Sequence, residues 1–387
     1  MTSVFGLISR VRTIFNPPEA KPDANTKPLK FGILGAANIA PDALIKPVKS
    51  HPEAVVFGVA ARNKEKAAAY AKTHGIKKVY NSYEELLADP EIDCIYNPLP
   101  NGLHYEWTMK ALAAGKHVLL EKPAANTAEE TRAMFDLAEQ KNLVLLEAFH
   151  YRFHPVAHRV REIIESGELG PVKGTDTHLT LSGGYFSADD IRFNYSLGGG
   201  ALMDMGCYTI NSMRFFGGEE PSSVSSVSHQ LVTKASGKNS ELVDRRTEAT
   251  FTFAGGMRSS IVCDLATPAR FGLIPKLPDF SAKIRCEQGE IRIMNYLMPS
   301  VYHSITVVPI KGKQRVEKVY TFPNLGQPWW STYRYQLEAF VNKVRGRPVH
   351  TWVTKEDSIA NMEVIESVYA KGGLGSRPKS EWMPPNL

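Results

Sequence analysis

Between Leu29 and Phe149 the chain alternates short apolar runs with amphipathic stretches, and no other feature restricts its fold as strongly. LKFGILG, VVFGVAA, CIYNPLP, HVLLEKP and LVLLEAF are separated by segments such as IAPDALIKPVKS, KEKAAAYAKTHG, HYEWTMKALAAG and TAEETRAMFDLAEQKN. Runs rich in Val, Ile and Leu suit strands covered on both faces, and the stretches between them have the length and pattern of crossover helices. Residues 30–150 are therefore expected to form a doubly wound α/β domain with a parallel sheet. After a helix around Val156 to Ser166 the pattern changes to longer alternating segments: GTDTHLTLSG, RRTEATFTFAG, MRSSIVCDLA, AKIRCEQGEIRIM and SITVVPI. Apolar and polar residues in alternation predict an antiparallel sheet with one face on a core. Residues 151–387 are thus expected to be an α+β domain built on a large, mostly antiparallel open sheet, closed by helices in YRYQLEAFVNKVRG and KEDSIANMEVIESVYAKGG.

Two cores are consistent with 387 residues of which 43% are hydrophobic. The 46 Lys and Arg against 40 Asp and Glu are thinly spread, with no basic run interleaved with aromatics, so a nucleic-acid partner is not expected. No apolar run approaches the length of a membrane-spanning helix. Cys94, Cys207, Cys263 and Cys286 lack paired or zinc-like spacing, which points to a reducing, cytoplasmic setting. Residues 1–29 form a separate extension, VFGLISRVRTIF followed by breaker-rich NPPEAKPDANTKP. It reads either as an arm packing on a neighbouring subunit or, being basic and acid-free up to Glu19, as an organelle-targeting segment.

Strand KFGIL runs into Gly35-Ala36-Ala37-Asn38-Ile39-Ala40, a G-x-A-x-x-A variant of the Rossmann phosphate turn. In that turn the first glycine makes the bend, the second small residue lets amides approach a pyrophosphate, and the third lets helix pack on strand. Gly35, Ala37, Asn38 and Ile39 are accordingly candidate cofactor contacts. The second strand ends Ala60-Ala61-Arg62-Asn63, where an NAD site usually carries a carboxylate for the ribose hydroxyls. A guanidinium there grips a 2′-phosphate, so NADP is expected over NAD; the plain alternative is a solvated loop charge.

HVLLEKPA ends an apolar strand in Glu121, Lys122 and Pro123. Open α/β sheets bind ligands at the carboxyl ends of their strands, which puts Lys122 at a ligand crevice, and Pro123 denies the chain a helical continuation. Farther on, Gly198-Gly199-Gly200-Ala201-Leu202-Met203-Asp204-Met205-Gly206-Cys207-Tyr208 spaces Asp204 and Tyr208 four apart. On a helix they share one face, a carboxylate beside a phenol, with glycines leaving room for a ligand. The structural alternative makes Asp204 a cap and Tyr208 a core aromatic.

GILGAANIA, ARN, NPLPNGLH, EKPAANT, EAFHYRFHP and DIRFNYSLGGGALMDMGCY, taken together across residues 30–215, resemble the glucose-fructose oxidoreductase, inositol dehydrogenase and rhizopine-catabolism (Gfo/Idh/MocA) family. Within it they look like the branch of dimeric dihydrodiol dehydrogenase and NADP-linked D-xylose dehydrogenase. The resemblance implies a reacting centre at Lys122, beside nicotinamide and a substrate hydroxyl, with Tyr208 at the proton-transferring position and Asp204 tuning both. It places Pro98, Pro100, Asn101 and His104 under the nicotinamide ribose, with Glu121 and Lys122 among the cofactor contacts, and Arg152 and Arg192 with Tyr208 at the substrate. Repulsion from oxidised nicotinamide and desolvation would lower the Lys122 pKa, and the neighbouring cation would acidify Tyr208. Ala61 departs from a Ser found in the NADP-using branch, and Asn194-Tyr195 from a common Asp-Pro. The implied activity is NADP-dependent hydride transfer at a sugar or cyclic polyol carbon, foremost an aldose such as D-xylose. A trans-dihydrodiol, or reduction of a keto sugar or dicarbonyl, is the alternative, and a non-catalytic cofactor-binding sensor is the rival from another class. A homodimer or higher homo-oligomer is expected from the sheet face and from the family.

His150, His154 and His158 have the spacing of helical metal ligands, but Pro155 interrupts the helix and no metal is expected. Asn194-Tyr195-Ser196 is a glycosylation sequon of little weight without a secretory signal, and Cys207 reads as a small core residue.

Overall fold

Both faces of HVLLEKP are buried, as its unbroken apolar run requires: Leu119 packs in one core cluster, Val118 and Leu120 in a second on the other side of the sheet. The computed structural model describes residues 4–21, 26–233 and 240–384. Its first sheet comprises β1 (Leu29–Leu34), β2 (Ala54–Ala60), β3 (Lys78–Tyr80), β4 (Cys94–Asn97), β5 (His117–Leu120) and β6 (Leu145–Glu147). Every pairing is parallel and the order is β3-β2-β1-β4-β5-β6, so the winding direction reverses between β1 and β4 and opens a crevice at their carboxyl ends. The crossover helices begin where their caps say they should. Asn63, Ser82 and Thr127 accept from the amides of Lys66, Glu85 and Glu130.

The second sheet holds β7 (Val172–Ser182), β8 (Pro221–Leu231), β9 (Asp244–Phe253), β10 (Arg258–Thr267), β11 (Ala282–Cys286), β12 (Gly289–Met294), β13 (Ser304–Pro309) and β14 (Arg315–Glu317). It is antiparallel except between β7 and β10. In β7, Thr175, Thr177, Leu179 and Leu181 are buried while Asp176, His178 and Thr180 on the other face are part-exposed, the alternation expected of a half-covered sheet. Helix Cys207–Gly217 lies on the buried face, where Thr177 Oγ1 donates to Thr209 O at 2.9 Å.

The extension forms a helix over Val4–Phe15 that packs on its own chain; residues 1–3 and 22–25 lie outside the described residues. At the other end, the segment after helix Lys355–Lys371 returns to the first sheet's helices, with Asn126 Nδ2 donating to Pro378 O and Trp382 edge-on to Tyr105. Among the described residues no helix is long and apolar enough to cross a membrane, and all four cysteines are free thiols.

Candidate active site

At the end of β1, Gly35 turns the chain with φ of 83°, and a Cβ there would stand 3.2 Å from Leu99 Cδ2, so the bend calls for glycine. Ala36 to Ile39 follow along the wall of a cleft of about 810 Å³. The Tyr70 hydroxyl steadies the loop by donating to Ala37 O at 3.1 Å. Arg62 and Lys66 line the same end of the cleft, and no carboxylate among the described residues pairs with either. A tight turn beside a helix start, with two cations left over, fits a dinucleotide that carries an extra phosphate.

Pro98, Pro100 and Asn101 form the adjoining wall, and Asn101 Nδ2 donates to Gly198 O at 3.0 Å. Behind them His104 is fully buried, its ring nitrogens 2.8 Å from Pro123 O and 2.7 Å from Leu99 O. Burial lowers the His104 ring to about 4, so the neutral imidazole donates to one of these two carbonyls and braces the loop from behind the cleft wall. Glu121 lies in the cleft floor, its Oε1 accepting from Tyr96 Oη at 2.7 Å, and burial raises its carboxyl.

Lys122 emerges at the carboxyl end of β5 through a cis peptide to Pro123. Its Nζ donates to Asp204 Oδ1 and to Asp204 O, both at 3.0 Å. The other carboxylate oxygen accepts from Arg192 Nε at 2.8 Å, and Arg192 Nη1 reaches Asp190 Oδ1 at 3.0 Å. Burial acts to raise the Asp204 carboxyl, but Arg192 and Lys122 outweigh it and hold it well below the usual range. Asp204 sits in a π-helical turn, Leu202–Gly206, that runs into helix Cys207–Gly217 and brings Tyr208 round so that Lys122 Nζ lies 5.0 Å from its ring centroid. Among the described residues the Tyr208 hydroxyl has no hydrogen-bond partner, and the ring packs edge-on to Phe149 and His150.

This geometry corrects the expected acidities. Burial acts most strongly and lowers the Lys122 ammonium, but Asp204, Cys207 and Glu121 together more than offset it and the net direction is upward. Burial pushes the Tyr208 phenol well above its ordinary value, with neighbouring Tyr333 and Glu121 adding to it. The side chains alone therefore keep a charged lysine and a neutral phenol: the expected lowering at Lys122 included a charge that oxidised nicotinamide would bring, whereas at Tyr208 burial outweighs the neighbouring Lys122 cation.

Lys122, Asp204, Tyr208 and the phosphate turn fall within recognisable sequence models. Residues 29–149 match the Gfo/Idh/MocA oxidoreductase family with its NAD-binding Rossmann fold, and residues 157–292 match the family's C-terminal domain. Over 352 residues, covering 90% of this chain and 98% of the relative, the chain is 38% identical to an oxidoreductase of Rhizobium meliloti. The chain belongs to the Gfo/Idh/MocA oxidoreductase family. Another member, an NADP+-linked D-xylose 1-dehydrogenase of Haloferax volcanii, is 44% identical over 190 residues, 49% of this chain and 57% of the relative. The match thus spans little more than half of that enzyme. A 3-ketoreductase from Actinomadura kijaniata, solved with NADP and TDP-benzene, shares the fold with a TM-score of 0.75 at 22% identity, over 92% of this chain and 100% of that one.

Two other expectations for this Gfo/Idh/MocA chain change. Arg152, expected at the substrate, points away from the cleft: its Nη1 donates to Asp357 Oδ2 at 2.7 Å and its guanidinium lies 4.0 Å from the Phe215 ring centroid. It is a structural ion pair. The glycines of GGGALMDMG admit protein atoms, since a Cβ on Gly198 would meet Asn126 Oδ1 at 2.2 Å and one on Gly200 would meet Asp244 Oδ1 at 2.3 Å. The three spaced histidines make separate contacts: His150 with Thr332 Oγ1, His154 capping helix Pro155–Glu165, His158 with Arg152 O. Asn194 caps the turn Tyr195–Leu197, and burial pushes the Cys207 thiol up. Sequence reading missed Phe280, Leu297, Met298 and Tyr333, which line the cleft from segments without a motif; the aromatic cluster in QPWWSTYRYQL was the one visible signal.

Proposed function

We propose that the protein is an NADP-dependent dehydrogenase or reductase acting on a sugar or cyclic polyol carbon, most concretely a 1-dehydrogenase of a D-xylose-like aldose, working as a cytoplasmic homodimer. The observation that carries this reading is the Lys122 ammonium held between the Asp204 carboxylate and the Tyr208 ring, in the same cleft as the Gly35 turn and unpaired Arg62. Gly35 to Ile39 would hold the pyrophosphate and Arg62 with Lys66 the 2′-phosphate. NADP so held supplies the nicotinamide carbon that accepts or returns hydride. Lys122 donates to the substrate oxygen and stabilises the charge that develops there as its proton leaves, and Asp204 keeps the ammonium aimed. In the oxidative direction the hydroxyl proton passes to whichever member of the Lys122 and Tyr208 pair has first released its own proton to solvent, and in the reductive direction the neutral phenol is the donor.

The far half of the cleft favours an uncharged ligand. Its cation, Arg192, is engaged by Asp190 and Asp204, and Asp189 adds negative charge at the rim. Leu179, Leu181, Phe280 and Tyr333 offer apolar surface to the CH faces of a ring. A free aldose or diol suits this better than a nucleotide-linked sugar. A trans-dihydrodiol remains the second reading on the same apolar wall. A binding-only sensor has no use for Lys122, Asp204 and Tyr208 in mutual contact. The dimer rests on the part-exposed outer face of the second sheet, where Met294 is 51% exposed; a monomer in sedimentation at micromolar concentration removes it.

Purified protein with NADP and a panel of aldoses and diols, read by the absorbance of reduced nicotinamide, tests the activity; silence in both directions with cofactor bound overturns it. Arg62→Ala is expected to weaken NADP about tenfold or more while leaving NAD nearly unchanged, in line with a lost charge-assisted hydrogen bond. Equal weakening of both cofactors removes the argument for NADP.

A further inference from the structure

Helix Val4–Phe15 precedes the residues matched by the family's Rossmann model, which begin at 29, and it touches both halves of the molecule. Arg10 is only 7% exposed. Its Nε donates to Ser300 O and its Nη2 to Val301 O and to Tyr320 Oη, each at 3.0 Å, while the guanidinium lies 3.9 Å from the Tyr320 ring centroid. A helix resting casually on the surface would not sink an arginine onto carbonyls almost 300 residues away along the chain. The loop so gripped is compact. Asn295, at φ of 57°, donates to Met298 O and Tyr302 O and accepts from Met298 N, and His303 Nδ1 lies 2.7 Å from Pro299 O. Leu297 and Met298 of that loop line the active cleft.

The other end of the segment is fastened to the cofactor-binding unit. Lys46 Nζ lies 5.1 Å from the Phe15 ring centroid, Ala20 N donates to Lys49 O at 2.9 Å, and Glu19 pairs with Lys49 at 3.5 Å. Lys46–Lys49 continues the helix that starts at Pro41, directly after the phosphate turn. Beneath the strap lies a small recess of about 70 Å³ that shares Met298 and Tyr333 with the cleft.

We propose that residues 10–20 are a strap tying the Leu297-Met298 wall to the nucleotide-binding unit, with Arg10 as a positioning residue that fixes the width of the substrate end of the cleft. The substrate half of this inference rests on the function proposed above. Hydrogen exchange of the full-length protein tests the strap, and steady-state kinetics with D-xylose and NADP test its consequence. Arg10→Ala is expected to speed exchange across residues 296–302 and to raise the KM for D-xylose about three- to tenfold, the size of one ordinary hydrogen bond passed on to the substrate wall, with kcat and NADP affinity unchanged. Arg10→Lys, which restores charge without the planar fork, is expected to recover only part of both. Unchanged exchange in that loop overturns the strap. Faster exchange with an unaltered KM, or a mere fall in melting temperature, overturns the specificity role. If Arg10→Ala fails to fold, Tyr320→Phe removes a single bond and should shift both readouts in the same direction by less. Failure of the wild-type protein to oxidise D-xylose counts against the proposed reaction, and exchange then decides the strap by itself.

Discussion

Lys122 is where the chain commits charge to the cleft, and its neighbours explain why the sequence placed it there. A lysine used only for solubility would not be matched by a half-buried Asp204 whose two oxygens go to Lys122 and Arg192. Lys122→Met keeps the length and apolar stem of the side chain and removes the charge. It should lower kcat about a thousandfold, within the usual range for losing a proton-transferring group, while NADP affinity changes less than about twofold. Loss of cofactor binding in parallel would instead make Lys122 a cofactor anchor. At this scale the sequence separated Lys122 from other lysines through its strand-end context. It did not separate Arg192 from Arg152: each is an arginine near a motif, and only the fold turns one into the cleft and the other towards Asp357.

The paired strands β5 and β6 set the loop that follows Lys122. Glu147, at the end of β6, accepts from Ala124 N at 2.8 Å through Oε1 and is 1% exposed. Burial raises its carboxyl to about 8 against the opposing hydrogen bond from the Ala124 amide. The folded protein therefore keeps this proton at pH values where the unfolded chain, with a carboxyl near about 4.3, has lost it. The resulting stabilisation is full below the unfolded value and is lost as pH rises through about 8. Glu147→Gln retains an acceptor for Ala124 and should flatten that decline, measured as urea-unfolding free energy from pH 5 to about 8.5. An undiminished slope would mean that Glu147 is ionised in the fold. The strands and crossover helices of this unit were legible because period and caps are local. The π-helical turns Pro41–Ile45 and Leu202–Gly206 were not, because an extra residue in a helical turn follows from what the helix must pack against.

Across the whole molecule, the chain's end secures the loop that carries its chemistry. Arg377 and Asp244 are both fully buried and paired at 2.8 Å. Asp244 also accepts from Tyr369 Oη and Leu202 N, while Arg377 Nε donates to Gly199 O at 2.7 Å. The glycine turn, β9 and the C-terminal segment thus close on one charge pair just behind Asp204. Arg377→Met leaves a buried carboxylate without its cation and should cost about 3–5 kcal/mol of stability, read from the urea midpoint, with kcat falling as the Asp204 turn loosens. A loss under about 1 kcal/mol would show that Asp244 finds another partner or takes up a proton.

The sequence by itself determined the two-part architecture, the parallel character of the first sheet, the glycine turn, the arginine in place of a carboxylate after β2 and the lysine at the strand's mouth. Each of these follows from residue type and short-range period, which act within a few turns of chain. Tertiary structure decided what depends on distant segments meeting. It tied Asp204 to Lys122 across 82 residues, recruited Met298 and Tyr333 to the cleft, diverted Arg152 to a structural pair and folded the N-terminal helix back onto its own chain. Direction and burial of a side chain are set by what packs against it, and no local pattern in this chain records which carbonyl Arg10 will reach or which charge Lys122 will face.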